Sequence, residues 1–290
     1  MDSDALPSSP IAFAVLSSVL IGLAMIVAQR GVRTIASLPG TAVANTSAAL
    51  LFWALAPIFW DAEAVPARSL SVFVVVGLFF PAGVTLLMLE GNRRLGPSIT
   101  ASVAGTTPLF AYLAAVVFLG EALVARGLLG TAVIVVGIAI LAWRKGNMRG
   151  DVASSALAFP LSSALIRAIA QNLIKYGLMS WPSPYAAIVI AYTASVSVGW
   201  TLLGLRREGI PRTRELAWLV ASGLMNGVGT LAMYAAFRYG EVTLVAPIVA
   251  TAPLVTLTVS AFVLREESPT PRLVGGVLVT LLGVGLILMR

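Results

Sequence analysis

The chain has 290 residues, 59% of them hydrophobic and only 11% charged, with a mean hydropathy of +0.96, far too few charges to cover a soluble domain of that size. Cys and His are both absent, which excludes a disulfide frame, thiol chemistry and Fe–S ligation, removes the commonest metal ligand and proton shuttle, and leaves no metal or cofactor to expect. The net charge of +7 reads as loop arginine and lysine bound for the cytoplasmic side of a bilayer, with no nucleic-acid partner implied.

An all-α membrane protein is therefore expected, and its spans can be taken in order. A short acidic tail, MDSDALPSSP over 1–10, has no basic leader, so the run from Ile11 onward reads as a retained first span. Ten apolar segments follow, at 11–29, 40–60, 70–90, 97–119, 125–143, 154–176, 184–205, 215–237, 242–264 and 271–289, each of a length that crosses a bilayer core. Breaks fall at Pro, Gly and charged clusters such as DAEAVPARS, WRKGNMRGD and RREGIPRTR. The connections leave no room for a soluble domain.

The sequence also says the same thing twice. The run Leu89 to Glu121 returns as Ala235 to Glu266: Arg93 falls on Arg238, Thr106 on Thr251, Pro108 on Pro253 and Glu121 on Glu266, all at an offset of 145. Ser17 and Ser18 fall on Ser162 and Ser163, Trp53 on Trp200, Gly77 on Gly223, and Gly130 and Gly137 on Gly276 and Gly283. Two halves result, 11–148 and 149–290, of five spans each. Five is odd, so the second half is expected to sit upside down relative to the first, as an inverted repeat around a central cavity. Such halves suit alternating access: they can exchange conformations and open a midplane site to one side and then the other.

Polar side chains inside the spans are the candidates for function, because an ionisable group at the bilayer centre costs at least ~2.5–3.5 kcal/mol. In the fourth segment, Thr106, Pro108 and Tyr112 combine a proline that kinks a helix and frees carbonyls with an amphipathic ring that could form a cavity wall. Ordinary helix packing accounts for Tyr112 as well. In the sixth, Arg167, Gln171 and Lys175 follow at four-residue spacing with Asn172 beside them, which sets a guanidinium, a carboxamide and an ammonium on one helical face. That stripe could hold a carboxylate or phosphate, with arginine gripping it in a bidentate manner; the bland alternative has Lys175 snorkelling to the interface and Gln171 packed on a carbonyl. Arg167 has Gly22 as its repeat mate, a departure from internal symmetry where a substrate's own asymmetry would be read.

In the eighth segment, Asn226 and Tyr234 lie eight residues apart on roughly one face, and GLMNG (223–227) is a small-xxx-small pattern that suits close helix packing. In the ninth, Thr251 and Pro253 repeat the Thr–Pro pair of the fourth. Glu121 and Glu266, at segment ends, read as structural pins. All 12 acidic residues sit in loops, tails or segment ends, with Glu90 the deepest, so a facilitator is expected, with no strong proton coupling. There is no GxSxG, HExxH or phosphate loop, so no catalytic residue is expected and an enzyme is disfavoured.

The blocks AAFRYGEVTLVAPIVATAPL and TTPLFAYLAAVVFLGEAL, with the glycine-rich fifth and tenth segments, resemble the EamA-type transporters of the drug/metabolite transporter superfamily over essentially the whole chain. The resemblance implies a ten-helix fold with a cavity lined mainly by segments 1, 3, 4, 6, 8 and 9, and with 5 and 10 at the periphery. It implies movement of small metabolites, often export of aromatic and other amino acids, by a monomer in a bacterial inner membrane. A flippase or transporter for a lipid-linked sugar or phosphorylated metabolite is the alternative, since the Arg167 stripe could also hold a phosphate. Orientation stays open. Arg30, Arg93, Arg94, Arg144, Lys145, Arg206 and Arg207 follow odd-numbered segments, against Arg68, Arg126, Lys175, Arg238 and Arg290 on the other side. The positive-inside rule thus puts both termini outside, whereas the resemblance puts both inside.

Overall fold

The structure is a computed structural model and describes residues 9–31, 34–60, 64–95, 100, 103–142, 154–211, 213–263 and 270–289. Every element among them is helical. In chain order these are α1 (Ser9–Gly31), α2 (Ser37–Phe59), α3 (Ala67–Phe79), α4 (Ala82–Leu95), α5 (Thr107–Ala114), α6 (Ala125–Ala142), α7 (Ala158–Ser180), α8 (Pro184–Arg206), α9 (Leu216–Tyr239), α10 (Val242–Val249), α11 (Ala252–Thr258) and α12 (Pro271–Leu288). Single π-turns, Ala115–Leu119 and Val259–Val263, extend α5 and α11, and a 3₁₀ turn, Ser154–Leu157, leads into α7.

Eight helical runs among the described residues have the length and composition to cross a bilayer. Two further apolar helices, Thr107–Leu119 and Ala125–Leu141, are shorter than the segments expected there. At ~1.5 Å of rise per residue the first covers about two-thirds of a ~30 Å core. The start of the fourth expected segment, at 97, and Glu266 both lie outside the described residues. The third expected segment is two helices, α3 and α4, meeting at a cis Phe80–Pro81 bond. The ninth is also two, α10 and α11, meeting at Ala250 and Thr251.

The chain forms two compact units, and each draws on both sequence halves: residues 1–82 with 173–240, and 83–172 with 241–290. In the first unit α2 and α8, each the repeat mate of the other, cross antiparallel. Trp53 Nε1 donates to Thr193 Oγ1 and Trp200 Nε1 donates to Thr46 Oγ1, both at 3.0 Å. Each threonine in turn donates to the carbonyl four residues back, Thr46 to Ala42 and Thr193 to Val189, both at 2.7 Å. Flanking helices repeat the pattern. Gly77 of α3 lies against the Ala191 carbonyl of α8, and Gly223 of α9 lies against the Ala44 carbonyl of α2, so closely that a Cβ at either glycine would collide with backbone. α1 runs antiparallel to α9, where Gly229 lies on Leu20 and Ile21 and Ser222 Oγ donates to the Ala24 carbonyl at 2.9 Å.

The second unit applies the same device. α6 and α12 run antiparallel, with Gly130 on the Gly283 carbonyl and Gly283 on the Gly130 carbonyl, each 2.7 Å from where a Cβ would stand. Gly137 and Gly276 face one another likewise, and Thr280 fits against Gly137. Hydrocarbon tails are as apolar as leucine, so helices in lipid associate through close van der Waals approach rather than hydrophobic burial, and small residues permit that approach.

Because Gly223 faces a backbone carbonyl, a Gly223→Val substitution is expected to force α9 off α2 and destabilise by about 1–3 kcal/mol or more. No described residue stands within 4 Å of a Cβ at Gly275, so Gly275→Ala is expected to change stability by no more than ~0.5 kcal/mol. Thermal unfolding of the two purified variants in detergent, beside the parent chain, checks the contrast.

Candidate functional site

The Thr–Pro breaks in α5 and α10–α11 are built alike. Thr106 Oγ1 donates to the Val103 carbonyl at 2.6 Å and Thr251 Oγ1 to the Ile248 carbonyl at 2.7 Å. Pro108 and Pro253 stand in the first turn of the helix that restarts, where a missing N–H leaves no partner unsatisfied. Each carbonyl also accepts from the backbone N–H of the same threonine, at 3.1 Å in both cases, so the hydroxyl adds a second donor at the turn. Tyr112, fully buried, has its hydroxyl engaged twice by one residue: it donates to the Val124 carbonyl at 3.0 Å and accepts from the Val124 amide at 3.2 Å. The ring ties α5 to the stretch of chain entering α6.

Glu121 is a pin, though not through a cation. Its carboxylate spans the N-terminus of α10, with Oε1 accepting from Val242 N at 2.7 Å and Oε2 from Thr243 N at 2.8 Å. A negative group at the positive end of a helix satisfies otherwise orphaned amides and complements the dipole. Arg126 instead donates to the Met289 carbonyl at 3.4 Å. Lys175 is the converse of Glu121. Its Nζ donates to the Phe237 and Gly240 carbonyls, at 2.9 and 2.8 Å, at the C-terminus of α9. The lysine is therefore a helix cap, a partnership that periodicity along α7 alone does not reveal.

Three candidates of α7 lie in the second unit. Asn172 is buried and oriented by two backbone carbonyls, with Nδ2 donating to Ala168 O at 2.9 Å and to Ala111 O of α5 at 3.2 Å. Its Oδ1, and the Oε1 of the equally buried Gln171, are shut off from solvent and accept no hydrogen bond from the described residues. A buried acceptor without a donor costs about 1–3 kcal/mol, so two on consecutive residues are a considerable local penalty. Arg167, one turn earlier on the same helix, is exposed. A charged side chain at that depth of a membrane helix is a candidate for a solute path.

Asn226 and Tyr234 lie in the first unit, on α9, with Thr230 between them at helical spacing. The structure adds Tyr192 of α8, whose hydroxyl donates to Thr230 Oγ1 at 3.3 Å and accepts from Asn226 Nδ2 at 3.4 Å. Phe52 packs edge-on against the Tyr192 ring, 5.3 Å between centroids, and accepts at its carbonyl from the Tyr185 hydroxyl. An aromatic and hydroxyl cluster thus surrounds the one carboxamide of α9. The spacing of Asn226 and Tyr234 is a signal for Thr230 between them; Tyr192 carries none, since its place depends on how α8 crosses α9. The GLMNG run packs as expected, with Gly223 on Ala44 and Ser47 and Gly227 on Ala48 and Phe52 of α2.

Sequence and structure comparisons agree with this architecture. The model of the EamA-like transporter family matches twice, at residues 8–143 and 154–289. No curated protein sequence matches the chain. A solved crystal structure covers 97% of this chain and 97% of its own, with a TM-score of 0.82 at 17% identity, a likeness that shows the fold alone.

Removal of the Glu121 carboxylate in Glu121→Ala is expected to cost about 0.5–2 kcal/mol, as loss of a helix cap does. A lowered midpoint of thermal unfolding in detergent, with Glu121→Gln falling between that variant and the parent, is the measurement that checks it.

Proposed function

Since the chain belongs to the EamA-like transporter family, we propose that it carries small zwitterionic or anionic metabolites, amino acids foremost, across a bacterial inner membrane. Carriage proceeds by alternating access between two inverted halves of five spans each, as export or facilitated diffusion, and the protein acts as a monomer. Arg167 grips the anionic end of the solute. The observation that carries this reading is Arg167 itself, an exposed arginine at the middle of a membrane helix. A cation so placed costs several kcal/mol unless an anion or water-filled path justifies it, and a planar fork of donors suits a carboxylate.

The two-fold pattern supports the mechanism. α2 with α8, and α6 with α12, are repeat mates that pack antiparallel through matching residues, which is what inversion of one half requires. Two halves that pack through equivalent contacts can exchange the conformations they hold, and that exchange is the physical content of alternating access.

Counterflow uptake in proteoliposomes, with a panel of radiolabelled amino acids, tests the proposal. The parent chain is expected to accumulate one class of them, Arg167→Ala to lose at least about tenfold in rate and Arg167→Lys to recover only part, because a point charge does not replace a bidentate fork. Uptake untouched by Arg167→Ala reduces the arginine to a packing role, and no uptake of any member moves the reading to the lipid-linked or phosphorylated cargo.

Transport is also expected to be insensitive to pH and to move no protons in stoichiometry with solute. Glu90, the deepest carboxylate in the sequence, is paired with Arg94 one turn away on α4. A pH electrode in the same proteoliposomes reads the outcome; one proton per solute overturns the facilitator.

A further inference from the structure

We propose that the side-chain carbonyls of Gln171 and Asn172 are acceptors for an ammonium group of the transported solute, so that α7 reads both ends of a zwitterion. The inference rests on the transport reading above and adds the half of the solute that Arg167 does not address. Two buried oxygens, Gln171 Oε1 and Asn172 Oδ1, accept no hydrogen bond from the described residues, although buried side-chain acceptors in folded proteins nearly always have a donor. They belong to consecutive residues, both shut away from solvent, and stand four and five positions after Arg167 on the same helix.

The Asn172 amide cannot be turned around to remove the mismatch. Its nitrogen already lies between two backbone carbonyls, Ala168 O and Ala111 O, so the oxygen must be the atom left over. The Gln171 carboxamide lies on the Arg167 face by its four-residue spacing, and its last torsion is soft, so its oxygen can swing to a donor. An ammonium is the complementary group, since it carries three donors and no acceptor. Residues four apart on a helix bring their side chains within about 5–6 Å at the Cβ, a separation that a small amino acid spans with its carboxylate at Arg167 and its nitrogen at Gln171. A carboxylate or phosphate alone would leave both carbonyls unanswered. The arrangement therefore selects for a charged nitrogen, which neither a simple organic anion nor a phosphorylated sugar provides.

Counterflow of a labelled neutral amino acid in proteoliposomes gives the test, with two unlabelled competitors: its α-hydroxy acid counterpart, which lacks the nitrogen, and its decarboxylated amine, which lacks the carboxylate. In the parent chain the amino acid is expected to compete at least about tenfold better than the hydroxy acid, the value of a hydrogen bond to a charged group. Gln171→Leu is expected to shrink that preference several-fold. Gln171→Glu, nearly identical in size, is expected to shift selectivity toward the amine, because the acceptor then carries a charge. A parent chain that takes the hydroxy acid as well as the amino acid overturns the inference, and so does a Gln171→Glu protein with unchanged selectivity. The second result stands even where Gln171→Leu fails to fold. Failure of the transport reading looks different: the parent chain then takes up no amino acid at all.

Discussion

In lipid, one apolar helix gains no hydrophobic energy by meeting another, so a polytopic protein depends on how closely its backbones can approach. Here the approach is set at glycines that lie against carbonyl oxygens: Gly77 on Ala191, Gly223 on Ala44, Gly130 and Gly283 on one another. Each contact has a counterpart at the repeat-related position. A glycine that serves one crossing therefore fixes the geometry of a second, and neither can be widened alone without loss of equivalence between the halves. The reciprocal Trp53–Thr193 and Trp200–Thr46 bonds add a directional element, since each indole N–H in a membrane needs an acceptor that the lipid does not supply.

The helix ends obey a related constraint. Helix ends within the membrane expose amides and carbonyls, and several of those described above come with side chains that bond them. Thr106 and Thr251 cover carbonyls one turn back, Glu121 covers the first amides of α10, and Lys175 covers the last carbonyls of α9. These polar groups look like candidate solute ligands when read along one helix, yet their partners are backbone. The broken helices are tolerated because the groups they free find donors and acceptors nearby.

Much of this is legible in the sequence. The repeat offset matches Gly77 with Gly223, Trp53 with Trp200 and the two Thr–Pro pairs, and the structure shows each pair in equivalent contacts. Periodicity also puts Asn226 and Tyr234 on one face of α9. The interruption of the third segment at Phe80–Pro81 escapes such a reading because its hydropathy is unbroken, and apolar residues conceal a backbone break that only a proline marks. Lys175 and Tyr192 escape it for a different reason. Their partners lie on other helices, 62 residues away for Lys175 to Phe237 and 38 for Tyr192 to Thr230, and a one-dimensional pattern holds no information on crossings.

Where the halves differ is as telling as where they agree. At the repeat offset, Arg167, Gln171 and Asn172 fall on Gly22, Ile26 and Val27, and Asn226, Thr230 and Tyr234 fall on Phe80, Val84 and Met88. The scaffold positions are shared, whereas these polar positions belong to the second half alone. A duplicated carrier with identical halves would present a solute with a symmetric lining, and a symmetric lining cannot distinguish the anionic end of a zwitterion from its cationic end. On the transport reading proposed above, polar substitution in one half breaks that degeneracy, while the glycine crossings keep the repeat-related helices equivalent in their packing. The packing contacts and these polar positions thus fall on different residues, so on that reading solute preference can change through α7 with the packing of α2 on α8 and α6 on α12 left intact.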